Sequence, residues 1–347
     1  MDSQESKIRI AIVGFGNIGS RHAFFLSQND RYTIEAVCDL KPEKANSIPV
    51  GARFYTSIQA LLSNEKPDIV SICTPNGLHK EHAVQCMRAG SDVLVEKPLC
   101  LHVDDAEEMR RNSMETGKNI YTIMQNRFNP AVQFAKKLLS ENKIGPLLQI
   151  QVNCYWNRDA NYYLQSDWHG TKALDGGILF TQFSHFVDIL VYFAGFGTNV
   201  DFGKVQNLVH QDCSEVEDQG SFILTKEDCT ISVNYSVNAT HKNMEGSILL
   251  IGTDGMLKIG GQYINRVDYC ELNTDMDELY ATINDINAHP VNNNQYNGYQ
   301  GSMSNHDKVF DNLADHVLNG KNYYTNWDES AEVVRIIENM YKTAKIV

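Results

Sequence analysis

Residues 10–19 run Ile-Ala-Ile-Val-Gly-Phe-Gly-Asn-Ile-Gly, an apolar stretch that stops at Gly14-Phe15-Gly16-Asn17-Ile18-Gly19. A GxGxxG string alone constrains little. This one follows a strand-like run and precedes a helix-like one over 20–28, and a second strand-like run over 32–38 ends at Asp39. Strand, glycine turn, helix, strand and acid together make a βαβ unit suited to a dinucleotide. Gly14 permits the tight turn, Gly16 lets backbone approach a pyrophosphate, and Gly19 lets the helix pack close to the strand. The free N–H groups and partial positive charge of the helix start favour phosphate.

Asp39 stands 25 residues after Gly14 (39 − 14). At the tip of the second strand, its carboxylate would accept hydrogen bonds from adenosine ribose hydroxyls and repel a 2′-phosphate. That favours NAD over NADP. Lys41 works against the preference by offsetting part of the repulsion.

The 347 residues suggest two domains. A formal net charge of −13 argues against nucleic acid or an anionic membrane as partner. The eight cysteines include no CxxC pair and follow no signal peptide, so reduced thiols in a cytoplasmic protein are expected, not a disulfide framework or a zinc site. No metal is expected. No run approaches the ~18 apolar residues of a membrane span.

After Asp39, residues 67–73 read as a third strand, 79–89 as a helix, 92–96 as a fourth strand, 104–116 as a helix closed by Gly117, and 120–124 as a fifth strand. Alternating strands and helices predict a doubly wound, mostly parallel sheet over 1–124. The pattern then changes. A helix at 129–139 precedes a strand in which Leu148, Ile150, Val152, Cys154 and Trp156 alternate with polar residues. Runs at 220–225, 229–237, 246–251 and 255–259 are similar and suit an antiparallel sheet with one solvent-facing side. Residues 174–193 read as one apolar helix, 284–301 as a loop, and 305–318 and 328–344 as closing helices. The expected class is α/β, with a second domain over 125–347 built on an open, mostly antiparallel sheet.

Four strings stand in order: the glycine turn; Cys-Thr-Pro-Asn-Gly-Leu-His over 73–79; Glu96-Lys97-Pro98; and Asp-Gly-Gly-Ile-Leu-Phe-Thr-Gln-Phe-Ser-His over 175–185. Together they resemble the Gfo/Idh/MocA family of NAD(P)-dependent oxidoreductases, over nearly the full length. The resemblance implies a Rossmann domain, an α/β substrate and oligomerisation domain, and hydride transfer between nicotinamide and a sugar-like secondary alcohol. It implies Lys97 and His185 as the catalytic pair. It implies cofactor contacts from Gly14, Gly16, Asn17, Ile18, Gly19, Asp39, Thr74, Asn76, His79, Glu96 and Lys97.

The chemistry of those side chains fits the roles. An imidazole with an ordinary pKa near ~6.5 is suited to take a proton from an alcohol, and an ammonium beside the same oxygen stabilises alkoxide charge. Lys97 lies at the C-terminal end of a parallel strand, where open α/β sheets bind ligands. One departure stands out. Many relatives carry aspartate four residues before the histidine and glycine two before it; here Thr181 and Phe183 stand there. Threonine cannot act as a carboxylate base. If residues 181 and 185 share one helix, both face the substrate one turn apart.

Within the family, the 74–79 string and Trp-His-Gly-Thr-Lys-Ala-Leu-Asp-Gly-Gly over 168–177 are most similar to UDP-N-acetylglucosaminuronate 3-dehydrogenases, which supply surface polysaccharide precursors. Such a nucleotide sugar is anionic. Arg127, Arg158, His169 and Lys172, with Thr181, Gln182, Lys97 and His185, are the expected substrate contacts. The alternatives are another sugar, cyclitol or carbonyl substrate, or a non-catalytic dinucleotide-binding regulator. An exposed sheet face leads us to expect a homodimer or homotetramer.

Overall fold

The structure, a computed structural model, describes residues 7–273, 276–290, 293–296 and 299–346. The chain begins with β1 (Ile8–Val13), α1 (Asn17–Ser27), β2 (Tyr32–Cys38), β3 (Arg53–Tyr55), α2 (Ile58–Asn64), β4 (Ile69–Ile72), α3 (His79–Arg88), β5 (Asp92–Val95), α4 (Val103–Thr116) and β6 (Ile120–Thr122). These strands form one parallel sheet in the order β3-β2-β1-β4-β5-β6. The expected doubly wound sheet is therefore present. Chain order reverses between β1 and β4, and ligands of such sheets bind outside the strand ends at that point. Ile10, Ala11 and Ile12 are wholly buried, which is why the run shows no polar alternation. The short β3–α2 pair gives only a three-residue strand and was not anticipated from the sequence.

The chain continues with α5 (Pro130–Ser140), β7 (Leu147–Tyr155), α6 (Ala160–Leu164), α7 (Ile178–Thr181), α8 (Ser184–Ala194), β8 (Asn199–Gln206), β9 (Gln219–Lys226), β10 (Cys229–Ser236), β11 (Glu245–Gly252), β12 (Gly255–Gly260) and β13 (Arg266–Leu272). Then come α9 (Asp277–Ala288), β14 (Asn293–Tyr296), β15 (Tyr299–Met303), α10 (His306–Asn319), α11 (Trp327–Thr343) and β16 (Ala344–Ile346). An eight-stranded sheet runs β13-β12-β11-β7-β10-β9-β8-β16. Its pairs are antiparallel except β7–β10 and β8–β16. On β7, Ile150, Val152 and Cys154 are buried while Gln149, Gln151 and Asn153 are half-exposed, so the alternation marks one packed face.

Two compact units result. One holds residues up to Met124 together with His306–Val334; the other holds Gln125–Asn305 and Arg335–Val347. By sequence pattern, everything beyond 124 forms one domain. Residues 306–334 join the first unit because α10 packs on α1, with the Tyr32 hydroxyl donating to the Phe310 carbonyl at 2.7 Å.

Two expectations need correction. Residues 174–193 are not one helix. Gly176 and Gly177 hold φ of 80° and 113°, and the chain turns again at Gln182 and Phe183 between α7 and α8. Thr181 closes one helix and His185 sits near the start of the next, so they do not share a helical face. Residues 284–301 are not simply a loop. They hold the end of α9 and the β14–β15 hairpin, with 291, 292, 297 and 298 outside the described residues. Asn287 reads as a loop residue by type. Instead its side chain donates to the Val267 carbonyl and accepts from the Val267 N–H, both at 2.9 Å.

Candidate active site

The three glycines of the first turn serve different needs. Gly14 has φ of +88°, and a Cβ there would lie 2.6 Å from the Cys73 carbonyl oxygen. A Cβ on Gly19 would lie 2.0 Å from the Gly14 carbonyl oxygen, so α1 packs too close to the turn for a side chain. Gly16 has φ of −76°, and a Cβ there would meet nothing within 4 Å. Neither backbone nor packing demands glycine at 16, which fits a position kept bare for a pyrophosphate. Asp39 accepts from the Phe15 N–H at 2.7 Å and from the Lys41 N–H at 2.9 Å, so the carboxylate is oriented against the turn. These residues fit NAD, with Asn17 and Ile18 opening α1 beside the glycines.

At the end of β4, Thr74 and Asn76 precede α3, whose first residue is His79. Its imidazole is buried between the carbonyls of Pro98 (Nδ1, 2.7 Å) and Thr74 (Nε2, 2.9 Å). Burial lowers its pKa, and a neutral ring donates to only one of the two. His79 thus braces the loops that follow β4 and β5. The Lys97–Pro98 peptide is cis.

Glu96 is buried. Its Oε1 accepts from His22 Nε2 at 2.8 Å and His306 Nε2 at 3.3 Å, and its Oε2 accepts from the Lys97 backbone N–H at 3.1 Å. His22 Nδ1 meets Ser71 Oγ at 2.8 Å and Cys73 Sγ at 3.1 Å. Burial would raise the Glu96 pKa, but the two imidazoles hold it well below the carboxylate range. Burial works against charge on His22 too, yet Cys73 and Glu96 outweigh it and push the ring up to about 10. Burial lowers His306. An imidazolium–carboxylate pair with a neutral second imidazole as donor accounts for all three. Neither His22 nor His306 stands in a sequence motif that marks it.

In the second unit, three side chains converge on Tyr162. His169 stacks on its ring with centroids 4.2 Å apart, the Arg158 guanidinium lies over it at 5.2 Å, and Gln182 Nε2 donates to its hydroxyl at 2.8 Å. Arg158 also donates to the carbonyl of Asn157. Arg127 is placed differently. It is buried and donates to both oxygens of buried Asp188, with Nη2–Oδ1 at 2.6 Å. Its charge is answered inside the protein, and so is that of the aspartate in the largely apolar α8. Lys172 is exposed, with its backbone N–H on Glu215 at 2.8 Å.

His185 is buried near the start of α8. Thr181 donates its hydroxyl to the carboxylate of Asp175, a wholly buried residue whose other oxygen accepts from the Gly170 N–H at 2.6 Å. A carboxylate thus stands beside position 181 although the residue there is threonine. Below Gly177 lies buried Glu217, accepting from Tyr341 at 2.6 Å and Tyr235 at 3.0 Å. A Cβ on Gly177 would lie 2.1 Å from the Tyr341 hydroxyl. Asp175 carried a visible motif signal in Asp-Gly-Gly; Tyr162, Glu217 and Tyr341 carried none.

Residues 8–123 match the Gfo/Idh/MocA oxidoreductase family with its NAD-binding Rossmann fold, and residues 132–258 match the Gfo/Idh/MocA C-terminal domain. The chain belongs to this family and is an NAD-dependent dehydrogenase. The structure is similar to that of the WlbA dehydrogenase from Bordetella pertussis in complex with NADH and UDP-GlcNAcA (TM-score 0.87, 26% identity, 98% of this chain and 96% of that one). It is also similar to WlbA from Chromobacterium violaceum with the same two ligands (TM-score 0.85, 28% identity, 98% and 94%). D-glucoside 3-dehydrogenase of Escherichia coli K12 is 26% identical over 279 residues, 76% of this chain and 75% of that one.

Proposed function

We propose that this NAD-dependent sugar dehydrogenase oxidises the 3-hydroxyl of a UDP-N-acetyl-hexuronate, in the cytoplasm, on a route to surface polysaccharide precursors. The observation that carries the reading is the likeness, over 98% of the chain, to two WlbA dehydrogenases that bind NADH and UDP-GlcNAcA. Arg158 and His169, gathered at Tyr162, add local cationic and hydrogen-bonding groups suited to an anion in a chain of net charge −13. Eight free thiols agree with a reducing compartment.

Bound NAD, held by the glycine turn and Asp39, supplies the hydride acceptor. The remaining work falls to side chains. Oxidation removes the hydroxyl proton as hydride leaves the carbon. His185 takes that proton, and the Lys97 ammonium stabilises charge on the oxygen. Thr181, whose hydroxyl donates to the Asp175 carboxylate, orients a substrate hydroxyl. Arg158, His169, Lys172 and Gln182 bind the anionic sugar; Arg127 acts through its pair with Asp188 in holding α8.

The E. coli relative favours a second reading, a smaller glycoside as substrate. Thermal-shift measurements with UDP, UDP-sugars and free glycosides, followed by NADH formation, separate the two. Stabilisation by UDP-GlcNAcA and its oxidation are expected. Stabilisation by glycosides and not by any UDP compound would reverse the assignment. We also propose that the half-exposed face of the eight-stranded sheet joins copies into a homodimer or homotetramer, and a monomer by light scattering would refute this.

A further inference from the structure

We propose that His22 and His306 are positioning residues that set the orientation of Lys97 through the carboxylate of Glu96. The proposal rests on the dehydrogenase reading for its consequence in turnover, but its geometry stands apart from that reading.

The two carboxylate oxygens have separate duties. Oε1 takes both imidazoles, and Oε2 takes the backbone N–H of Lys97. Glu96 follows β5, and its own N–H donates to the Ile72 carbonyl at 3.0 Å, so its backbone is already fixed on β4. What remains free is the side-chain rotation, and the imidazoles remove it. His22 comes from α1, directly after the glycine turn, and is anchored by Ser71 and Cys73 from the β4 end. His306 is the first residue of α10, and its ring lies 5.4 Å from that of His22 and 6.3 Å from that of Phe25. The network therefore ties the helix that follows the cofactor turn, the end of β4 and the returning C-terminal segment to the residue beside Lys97. A buried carboxylate stripped of its donors would turn toward other partners, and the Lys97 N–H would lose its acceptor.

The same three side chains have the composition of a metal site, with ligand atoms within 4.8 Å of one another. The spacing favours protons over an ion. His22 Nε2 and Glu96 Oε1 are 2.8 Å apart, whereas ligands bound at ~2.0–2.2 Å in a tetrahedron sit about 3.3–3.6 Å apart.

The test compares His306→Gln, whose amide N–H replaces the Nε2 donor, with His306→Leu, which removes it. Two readouts are taken in the full-length protein. The first is backbone hydrogen exchange, by mass spectrometry, of the peptide containing Lys97. The second is kcat against KM for NAD and sugar. The Leu variant should speed exchange of that peptide about tenfold or more and lower kcat about tenfold, with KM for NAD within about threefold. The Gln variant should restore both. If the Leu variant fails to fold, Glu96→Gln, which keeps an oxygen acceptor but loses the charge, should show the same faster exchange. Wild-type exchange and wild-type kcat in folded His306→Leu would overturn the proposal. So would a stoichiometric divalent ion, by elemental analysis, that is lost with His306. A wild-type protein inert toward every sugar, with exchange responding as described, would overturn the dehydrogenase reading and leave the network standing.

Discussion

The Thr181 hydroxyl donates its hydrogen to the buried carboxylate of Asp175. The aspartate expected at 181 by resemblance is absent, yet an aspartate oxygen occupies the neighbourhood from six residues upstream, through the turn at Gly176 and Gly177. Thr181→Val should lower kcat by about ten- to a hundredfold, whereas Thr181→Ser should stay within about threefold of wild type. Wild-type turnover in folded Thr181→Val would remove Thr181 from the site.

Gly16 and Gly19 should respond in opposite ways to alanine. Gly16→Ala leaves a Cβ in open space, so the melting temperature should move by no more than about 2 °C while NAD binds about tenfold or more weakly. Gly19→Ala pushes a Cβ against the Gly14 carbonyl and should lower the melting temperature by several degrees. Calorimetry of the two apo variants, with NAD titration, checks both. Unchanged NAD affinity in Gly16→Ala would contradict the assigned role.

Glu217 supplies a pH dependence. Burial raises its pKa from 4.5 to about 7, and the Tyr341 and Tyr235 hydroxyls only partly offset that. The folded value lies above the unfolded one, so the folded state favours the protonated acid. Stability is intact below about pH 4.5 and is lost as pH rises through about 7. Glu217→Gln mimics the protonated form. It should match wild type near pH ~5 and exceed it at pH ~8 by at most about 3 kcal/mol, a few degrees in melting temperature. A variant no more stable than wild type at the higher pH would refute this.

Arg127 and Asp188 should behave as one unit. Arg127→Met leaves a buried carboxylate without its partner and should cost about 3–5 kcal/mol by denaturant unfolding. Arg127→Met with Asp188→Leu should recover most of that loss. If the single change were neutral to stability and instead weakened sugar binding, Arg127 would return to the substrate contacts.

The failed helix over 174–193 shows where sequence reading reaches its limit. Its apolar period was real, because Ile178, Leu179, Phe180, Phe183 and Phe186 are all buried. The break was encoded by Gly176 and Gly177, but glycines also occur inside helices. Only the close approach of Tyr341 and Glu217 to Gly177 makes a turn obligatory there. Arg127 illustrates the same limit for charge. A cation near other polar residues suggests an anion from outside until Asp188, distant in sequence, is seen to answer it.

The parallel sheet, the glycine turn, Asp39 and the position of Lys97 after β5 were determined by sequence alone, because a βαβ unit is set by contacts between near neighbours in the chain and by turn chemistry. Five strands of the second sheet were legible too, β7 from strict alternation, whereas β8, β13 and β16 were not. The tertiary structure alone decided which buried polar groups meet. Glu96 joins His22 and His306, Asp175 joins Thr181, and Glu217 joins Tyr235 and Tyr341. A buried polar atom must find a partner, but nothing in a local run of residues says which distant segment will bring it.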